Sequence, residues 1–339
     1  MNKSKTVLIT LICTIALVQF VDARNISYVP DSYCKGFLST TIEQPDDYEG
    51  KVVTTLVKKT RDGNENAVLY IHGYSDYFFQ TEMADQYLNQ GINFYAIDLR
   101  KYGRSHLPHQ WFNEARDLSE YYADIDTALS IIQSEIKGKI LLSGHSTGGL
   151  IAACYADDRG DNGKFQALFL NSPFFDMNYG FLIETIVEPL IVSKGKRKPT
   201  KPLEGSGLSL YWESIHKDYY GEWDFDLKLK PRKAPPVNCG WIRAIHNGHK
   251  KVQKGLDIPV PVLVMHSDNS VYGKKWKEDF YYGDAVLDVK DINKFSQNIG
   301  SKVEIKIIEK GMHDLVLSRK EIRHEVYNQL FDWTSTVFK

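Results

Sequence analysis

The stretch Lys139-Ile140-Leu141-Leu142-Ser143-Gly144-His145-Ser146-Thr147-Gly148-Gly149 constrains this chain more than any other. A short apolar strand runs into the pattern G-x-S-x-G, and the residues that follow, through Tyr155, read as a helix. A strand that turns straight into a helix at a serine needs small neighbours, because a side chain at either glycine would obstruct so tight a bend. The bend lifts the Ser146 hydroxyl above a sheet edge.

The rest of the chain supplies that sheet. Val52–Val57, Ala67–Ile71, Ile92–Ile97, Phe165–Leu170, Pro259–Met265 and Val303–Ile308 are β-branched or apolar runs of strand length. Between them, Met83–Asn89, Leu118–Ile136 and the segment from Lys320 to about Trp333 carry helical patterns, with Tyr122, Ile125, Ala128, Ile131 and Ile132 at helical spacing. Alternation of this kind predicts an α/β fold, a mostly parallel central sheet with helices on both faces. Residues 172–258 break it. They contain the apolar stretch Phe181–Val192, the basic run Lys194–Lys201, and an aromatic segment with Tyr211, Trp212, Tyr219, Tyr220, Trp223 and Phe225. The expected organisation is a core in two parts, 24–171 and 259–339, interrupted by an insertion at 172–258.

Lys+Arg of 42 against Asp+Glu of 43 leaves a formal charge of −1 in 339 residues, so there is no basic field to hold a nucleic-acid backbone. Lys3 and Lys5 precede the apolar run Val7–Val21, which ends at Asp22-Ala23. That pattern predicts a secretory signal peptide (residues 1–23) cut after Ala23 and export to the periplasm or outside the cell, the alternative being an uncleaved anchor. Cys34, Cys154 and Cys239 remain after cleavage. Their odd number excludes complete pairing, and Cys34 with Cys239 stand either as a disulfide or as two thiols. No CxxC spacing suggests a metal ribbon.

Ser146 needs a base and an oxyanion site. Gly311-Met312-His313-Asp314 follows the last strand and precedes the last helix, which puts His313 at the sheet edge that bears Ser146. Val68-Leu69-Tyr70-Ile71-His72-Gly73-Tyr74 is a strand entering a His-Gly turn, so the amides of Tyr74 and of Thr147, after the serine, are the candidate oxyanion donors. His72, Gly73, Gly144, His145 and Gly148 are the residues expected to support the two turns.

Together with Asp98-Leu99-Arg100-Lys101-Tyr102-Gly103-Arg104-Ser105, these motifs resemble the serine α/β-hydrolase family over residues 50–339. The resemblance is to its monoacylglycerol lipase and lysophospholipase-like branch, related to the serine aminopeptidases. It implies an α/β-hydrolase fold with the 172–258 insertion as a lid, a serine–histidine–acid mechanism, and no metal or organic cofactor. The chain departs from the family pattern at the acid. After Val262-Leu263-Val264-Met265-His266 the position where the family carries an acidic residue holds Ser270, with Asp268 two residues early. Reading 271–283 as an extra excursion makes Asp284 the acid; Asp268 is the alternative, and Asp288 suits a helix N-cap.

The implied activity is that of an exported serine hydrolase acting on carboxylic esters such as monoacylglycerols or lysophospholipids. An amidase or aminopeptidase of the same fold, or a silent hydrolase fold used for binding, are the alternatives. The stripe of Phe181, Leu182, Ile183, Ile186, Val187, Leu190 and Ile191 lines an acyl pocket, touches a membrane surface, or packs into the core. The run Lys194–Lys201 is a solvated loop or meets anionic head groups. N-terminal sequencing of the protein isolated from its own host is expected to start at Arg24; recovery of Met1 on membranes would establish the anchor instead.

Overall fold

The computed structural model describes residues 26–177, 187–203 and 209–339. The segment expected to be a signal peptide and residues 181–186 of the apolar stripe lie outside the described residues. Strands β1 (Val29–Pro30), β2 (Leu38–Asp47) and β3 (Gly50–Lys59) form an antiparallel edge. After them come β4 (Asn66–Ile71), α1 (Thr81–Asn89), β5 (Ile92–Asp98), α2 (Tyr122–Glu135), β6 (Ile140–His145), α3 (Thr147–Arg159) and β7 (Ala167–Asn171). The chain continues through α4 (Glu188–Arg197), α5 (Leu210–Ile215), α6 (Cys239–Gln253), β8 (Val262–Ser267), α7 (Val289–Ser296), β9 (Val303–Ile308) and α8 (Lys320–Val337).

The described strands form one sheet in the order β1-β2-β3-β5-β4-β6-β7-β8-β9, parallel from β5 through β9. Successive residues of a strand face opposite ways, and here both faces are covered. On β4, Ala67, Leu69 and Ile71 pack under α2, α3 and α6. Val68 and Tyr70 pack on the other face, under α1 and α8. The sheet and its two helical layers therefore follow from the buried runs read in the sequence. The strand β2 has a weaker signal, because its two buried residues are Ile42 and the polar Gln44, with exposed Glu43 between them, and only the pairing with β3 reveals it.

The region 172–258 departs from a simple insertion at its end. Helix α6 buries Trp241, Ile242, Ala244, Ile245 and Val252 in the same core as α2 and α3, and serves as the crossover from β7 to β8. Arg243, Asn247, His249, Lys250 and Lys251 interrupt its apolar stripe, which hid the helix among the polar residues around it. The basic run begins as helix: Lys194, Lys196 and Arg197 form the last turn of α4, where positive charge complements the carbonyl end. Of the apolar stripe, Val187 and Leu190 are exposed, and Ile191 packs against the core. Among the described residues no helix is long and apolar enough to cross a membrane.

Cys34, Cys154 and Cys239 are buried free thiols. Cys34 sits beside Arg104 and the Phe78 carbonyl, and Cys239 opens α6 against Gly195 of α4, so the two belong to different parts of the fold.

One close approach fixes how α3 meets the sheet. A Cβ on Gly148 would stand 2.3 Å from the His72 carbonyl oxygen and 2.5 Å from that of Ile71, both backbone atoms at the end of β4. Neither can yield without pulling the strand. Gly148→Ala is expected to destabilise the protein by on the order of 1–3 kcal/mol, as overpacking of a rigid contact does. Urea unfolding would show this as a lower midpoint at unchanged slope.

Candidate active site

Ser146 stands between β6 and α3 at φ 54°, ψ −118°, a conformation that L-residues rarely adopt. The turn is held from both sides. The Ser146 amide donates to the Asn171 carbonyl at 3.0 Å, and the Ser146 carbonyl accepts from Leu150 and Phe174 at 3.1 and 3.0 Å. A Cβ on Gly144 would lie 2.5 Å from the Gly148 carbonyl oxygen, so the strand can fold back on the helix only if this residue has none. The preceding His145 is buried, and its Nδ1 donates to the same Asn171 carbonyl at 3.1 Å. Burial holds its imidazole below the usual histidine range, which keeps it neutral.

His313 lies on the loop after β9. Its Nε2 is 3.0 Å from Ser146 Oγ, and its Nδ1 is 2.9 Å from Asp284 Oδ2. A carboxylate has no proton to give, so Nδ1 carries the hydrogen and Nε2 is left to accept the serine proton. Asp284 is fully buried, and its other oxygen accepts the amides of Val286 and Leu287, each at 2.8 Å. The carboxylate is thereby held at both oxygens.

The 271–283 excursion leaves and returns at one point. Ser270 and Asp284 pair as neighbouring strands, the Val271 amide donating to the Asp284 carbonyl and the Asp284 amide to the Asn269 carbonyl. Asp284 thus sits spatially where the strand β8 ends, though 17 residues beyond it in sequence. Asp268 is exposed and turns away from His313, accepting the Lys310 amide at 2.8 Å. Asp288 caps α7, accepting the Lys290 amide at 2.9 Å.

The Tyr74 amide follows Gly73, whose Cα approaches Ser146 so closely that an added Cβ would meet Ser146 Cβ at 3.3 Å. Thr147 is the first residue of α3, where helix amides have no carbonyl partner within the helix. His72 anchors the loop between them: Nδ1 donates to the Gly73 carbonyl at 2.8 Å, and Nε2 accepts the Leu99 amide at 3.1 Å. The motif after β5 supports the same loop. Asp98 accepts the Phe78 amide at 3.0 Å and pairs with Arg104 at 2.9 Å.

A cavity of about 190 Å³ opens over Ser146, bounded by Gly73, Tyr74 and His313 from the core and by Tyr211, Trp212, Lys230 and Arg232 from residues 209–234. This segment is bolted to the core by buried polar contacts. Lys230 Nζ reaches Asp76 at 2.8 Å, the Asp226 amide donates to Tyr77 Oη at 2.7 Å, and Trp223 Nε1 donates to the Leu317 carbonyl at 2.9 Å. The Tyr211 ring stands edge-on to His313, 5.4 Å between centroids. Tyr211, Lys230, Asp76, Asn171 and Asp314 are site residues that sequence reasoning did not assign. Lys230 and Asp76 are 154 residues apart, so no local spacing could have joined them. Among the described residues no cluster of His, Cys, Asp and Glu is arranged to hold a metal ion.

The arrangement can transfer a proton from a serine hydroxyl to an imidazole beside a cavity, the geometry of acyl transfer. Comparison with known proteins places it in a lineage. The family model described as serine aminopeptidase, S33, matches residues 62–320, which include Ser146, Asp284 and His313. The chain belongs to the serine aminopeptidase S33 family. It is 24% identical over 212 residues to the AB hydrolase superfamily protein YisY of Bacillus subtilis (strain 168), spanning 60% of this chain and 74% of that protein. Its fold is that of a solved monoglyceride lipase of Saccharomyces cerevisiae, bound to a substrate analogue, at 19% identity and a TM-score of 0.64, covering 88% of this chain and 95% of that one. A monoacylglycerol lipase of Paleococcus ferrophilus superposes with a TM-score of 0.60 at 16% identity, covering 89% and 99%. The α/β-hydrolase fold, related to the serine aminopeptidases, that the sequence motifs led us to expect is therefore correct.

The two aspartates that compete for the role of acid are separable by substitution. Asp284→Asn is expected to leave the fold intact and lower kcat by about 10⁴, the loss seen when a triad acid can no longer hold the histidine tautomer. Asp268→Asn is expected to change kcat by less than about threefold, as a surface substitution away from the reacting atoms does. Steady-state hydrolysis by both variants checks the order.

Proposed function

We propose that this protein is a serine hydrolase that cleaves carboxylic esters through an acyl-enzyme intermediate. The observation that carries the reading is the continuous hydrogen-bonded line Ser146–His313–Asp284, at 3.0 and 2.9 Å, with the serine in a strained turn facing a cavity. His313 takes the Ser146 proton as Oγ attacks the acyl carbon. The Tyr74 and Thr147 amides receive the negative charge that develops on the carbonyl oxygen. His313 then protonates the departing alcohol and activates the water that releases the acid, while Asp284 stabilises the imidazolium at each stage.

The substrate class we infer is a small monoester of the monoacylglycerol or lysophospholipid type. The likeness in fold to two proteins named monoacylglycerol lipases supports it. Export through the N-terminal segment 1–23 completes the proposal, with the part of the 172–258 insertion that precedes α6 acting as the lid that meets the substrate and, through it, a membrane surface.

Ser146→Ala is expected to abolish turnover, with a fall in kcat on the order of 10⁶, at an unchanged circular dichroism spectrum. Hydrolysis of a panel of p-nitrophenyl esters, monoacylglycerols, lysophospholipids and aminoacyl amides by the mature protein tests the class. Turnover of amides alone would move the protein to the aminopeptidases, and no turnover with no fluorophosphonate labelling of Ser146 would make it a binding protein.

A further inference from the structure

Asp314, next to His313, is buried with 1% of its surface exposed, and among the described residues the side-chain hydrogen bonds its carboxylate accepts come from two neutral amides. Its Oδ1 accepts Asn171 Nδ2 at 2.7 Å, and its Oδ2 accepts Gln80 Nε2 at 3.1 Å. A carboxylate buried without a cation is costly, so such a group is poor material for stability alone. What it joins is informative.

Asn171 ends β7 beside His145. Its backbone carbonyl accepts both the Ser146 amide and the His145 ring, at 3.0 and 3.1 Å. Its side chain faces the other loop: Oδ1 accepts the Leu315 amide at 3.3 Å while Nδ2 holds Asp314. One residue therefore grips the serine turn with its main chain and the histidine loop with its amide. Gln80 precedes α1 and closes the loop that carries Tyr74, and its Nε2 also donates to Tyr70 Oη at 3.2 Å. The loops bearing His313 and Tyr74 thus meet at a single carboxylate, and the turn bearing Ser146 is joined to it through Asn171.

We propose that Asn171 and Asp314 form a positioning pair that sets the Ser146–His313 distance and its relation to the oxyanion loop. The inference rests on the reading of Ser146 and His313 given above. Neither residue touches substrate. Their effect is exerted through the register of the loops, where a displacement of about 1 Å costs roughly 10²-fold in rate.

The pair has an internal test, because its polarity can be reversed. In Asp314→Asn the new amide can offer oxygen to only one of its two donors, so one bond is lost. In Asn171→Asp two buried carboxylates face one another. The double variant Asn171→Asp/Asp314→Asn keeps every bond. The carboxylate, moved to position 171, accepts from the amide nitrogen now at position 314 and from the Leu315 amide. The amide oxygen at position 314 accepts from Gln80. The exchange also keeps the number of buried charges.

The measurements are kcat and KM on p-nitrophenyl butyrate, and the rate of Ser146 labelling by a fluorophosphonate, at a temperature where circular dichroism shows each variant folded. Each single variant is expected to lose about 10²-fold in kcat and in labelling rate with KM changed less than about threefold, and the double variant to recover to within about fivefold of wild type. A merely structural role would lower the unfolding midpoint and leave kcat of the folded protein in place. Full kcat in both single variants, or a double variant as slow as the slower single, overturns the proposal. Should Asn171→Asp not fold, Asn171→Ala removes both Asn171 side-chain bonds, to Asp314 and to Leu315, without adding charge, and normal kcat there is equally fatal. Wild-type protein that fails to label at Ser146 would instead remove the hydrolase reading itself.

Discussion

The packing of α3 against the end of β4 is the constraint on which the site depends. Gly148 lets the helix come within contact of the Ile71 and His72 carbonyls, and Gly144 lets the strand fold back beneath it. Only with both approaches made does the chain reach φ 54° at Ser146. The residue is then held by hydrogen bonds to Asn171, Leu150 and Phe174, so the cost of the conformation, about 1–3 kcal/mol, is offset by neighbours that cannot easily relax. The same approach brings His72, and so the Tyr74 loop, to the side of the serine.

Electrostatics at the site run in two layers. Next to the serine, Asp284 and His313 form a pair whose tautomer is imposed by donors and acceptors: two backbone amides fix the carboxylate, and the carboxylate fixes Nδ1–H. Behind them lie Asp314, Asn171 and Gln80, and to one side the ion pair Lys230–Asp76. His145 is kept neutral by burial, so the imidazole that packs 4.8 Å from the His313 ring adds no competing positive charge. The proton can then move between Ser146 and His313 without a second titrating neighbour of the same kind.

The segment over the cavity is fixed on one side and differently built on the other. Residues 210–230 are tied to the core by Lys230, Tyr77 and Trp223, and a stack of Tyr220 on Trp276 joins them to the 271–283 excursion. The excursion therefore does more than delay Asp284 in the sequence. It braces the wall that carries Tyr211 and Trp212 over the serine.

The sequence by itself determined the parts that rest on local rules. Alternating buried runs specified the parallel sheet and its two helical layers, because a strand covered on both faces has to be apolar throughout. G-x-S-x-G between a strand and a helix specified the turn at Ser146, and Gly311-Met312-His313-Asp314 after the last strand placed His313, because chain order and sheet direction put both at one edge. Asp288 as a helix cap was legible from its position before Val289, which left Asp284 free to turn inward. What the tertiary structure decided was everything that depends on contact across long stretches of chain: the contact of His313 with Asp284 and not Asp268, made by the closure of Ser270 on Asp284; the place of α6 in the core, not the insertion; the weak strand β2, recognised only through its partner; and the assembly of Asn171 and Gln80 around the buried carboxylate of Asp314. Such contacts leave no periodic trace, because their partners are set by how loops from separate strands meet at the sheet edge, and a polar residue buried there looks in sequence like any other polar residue of a loop.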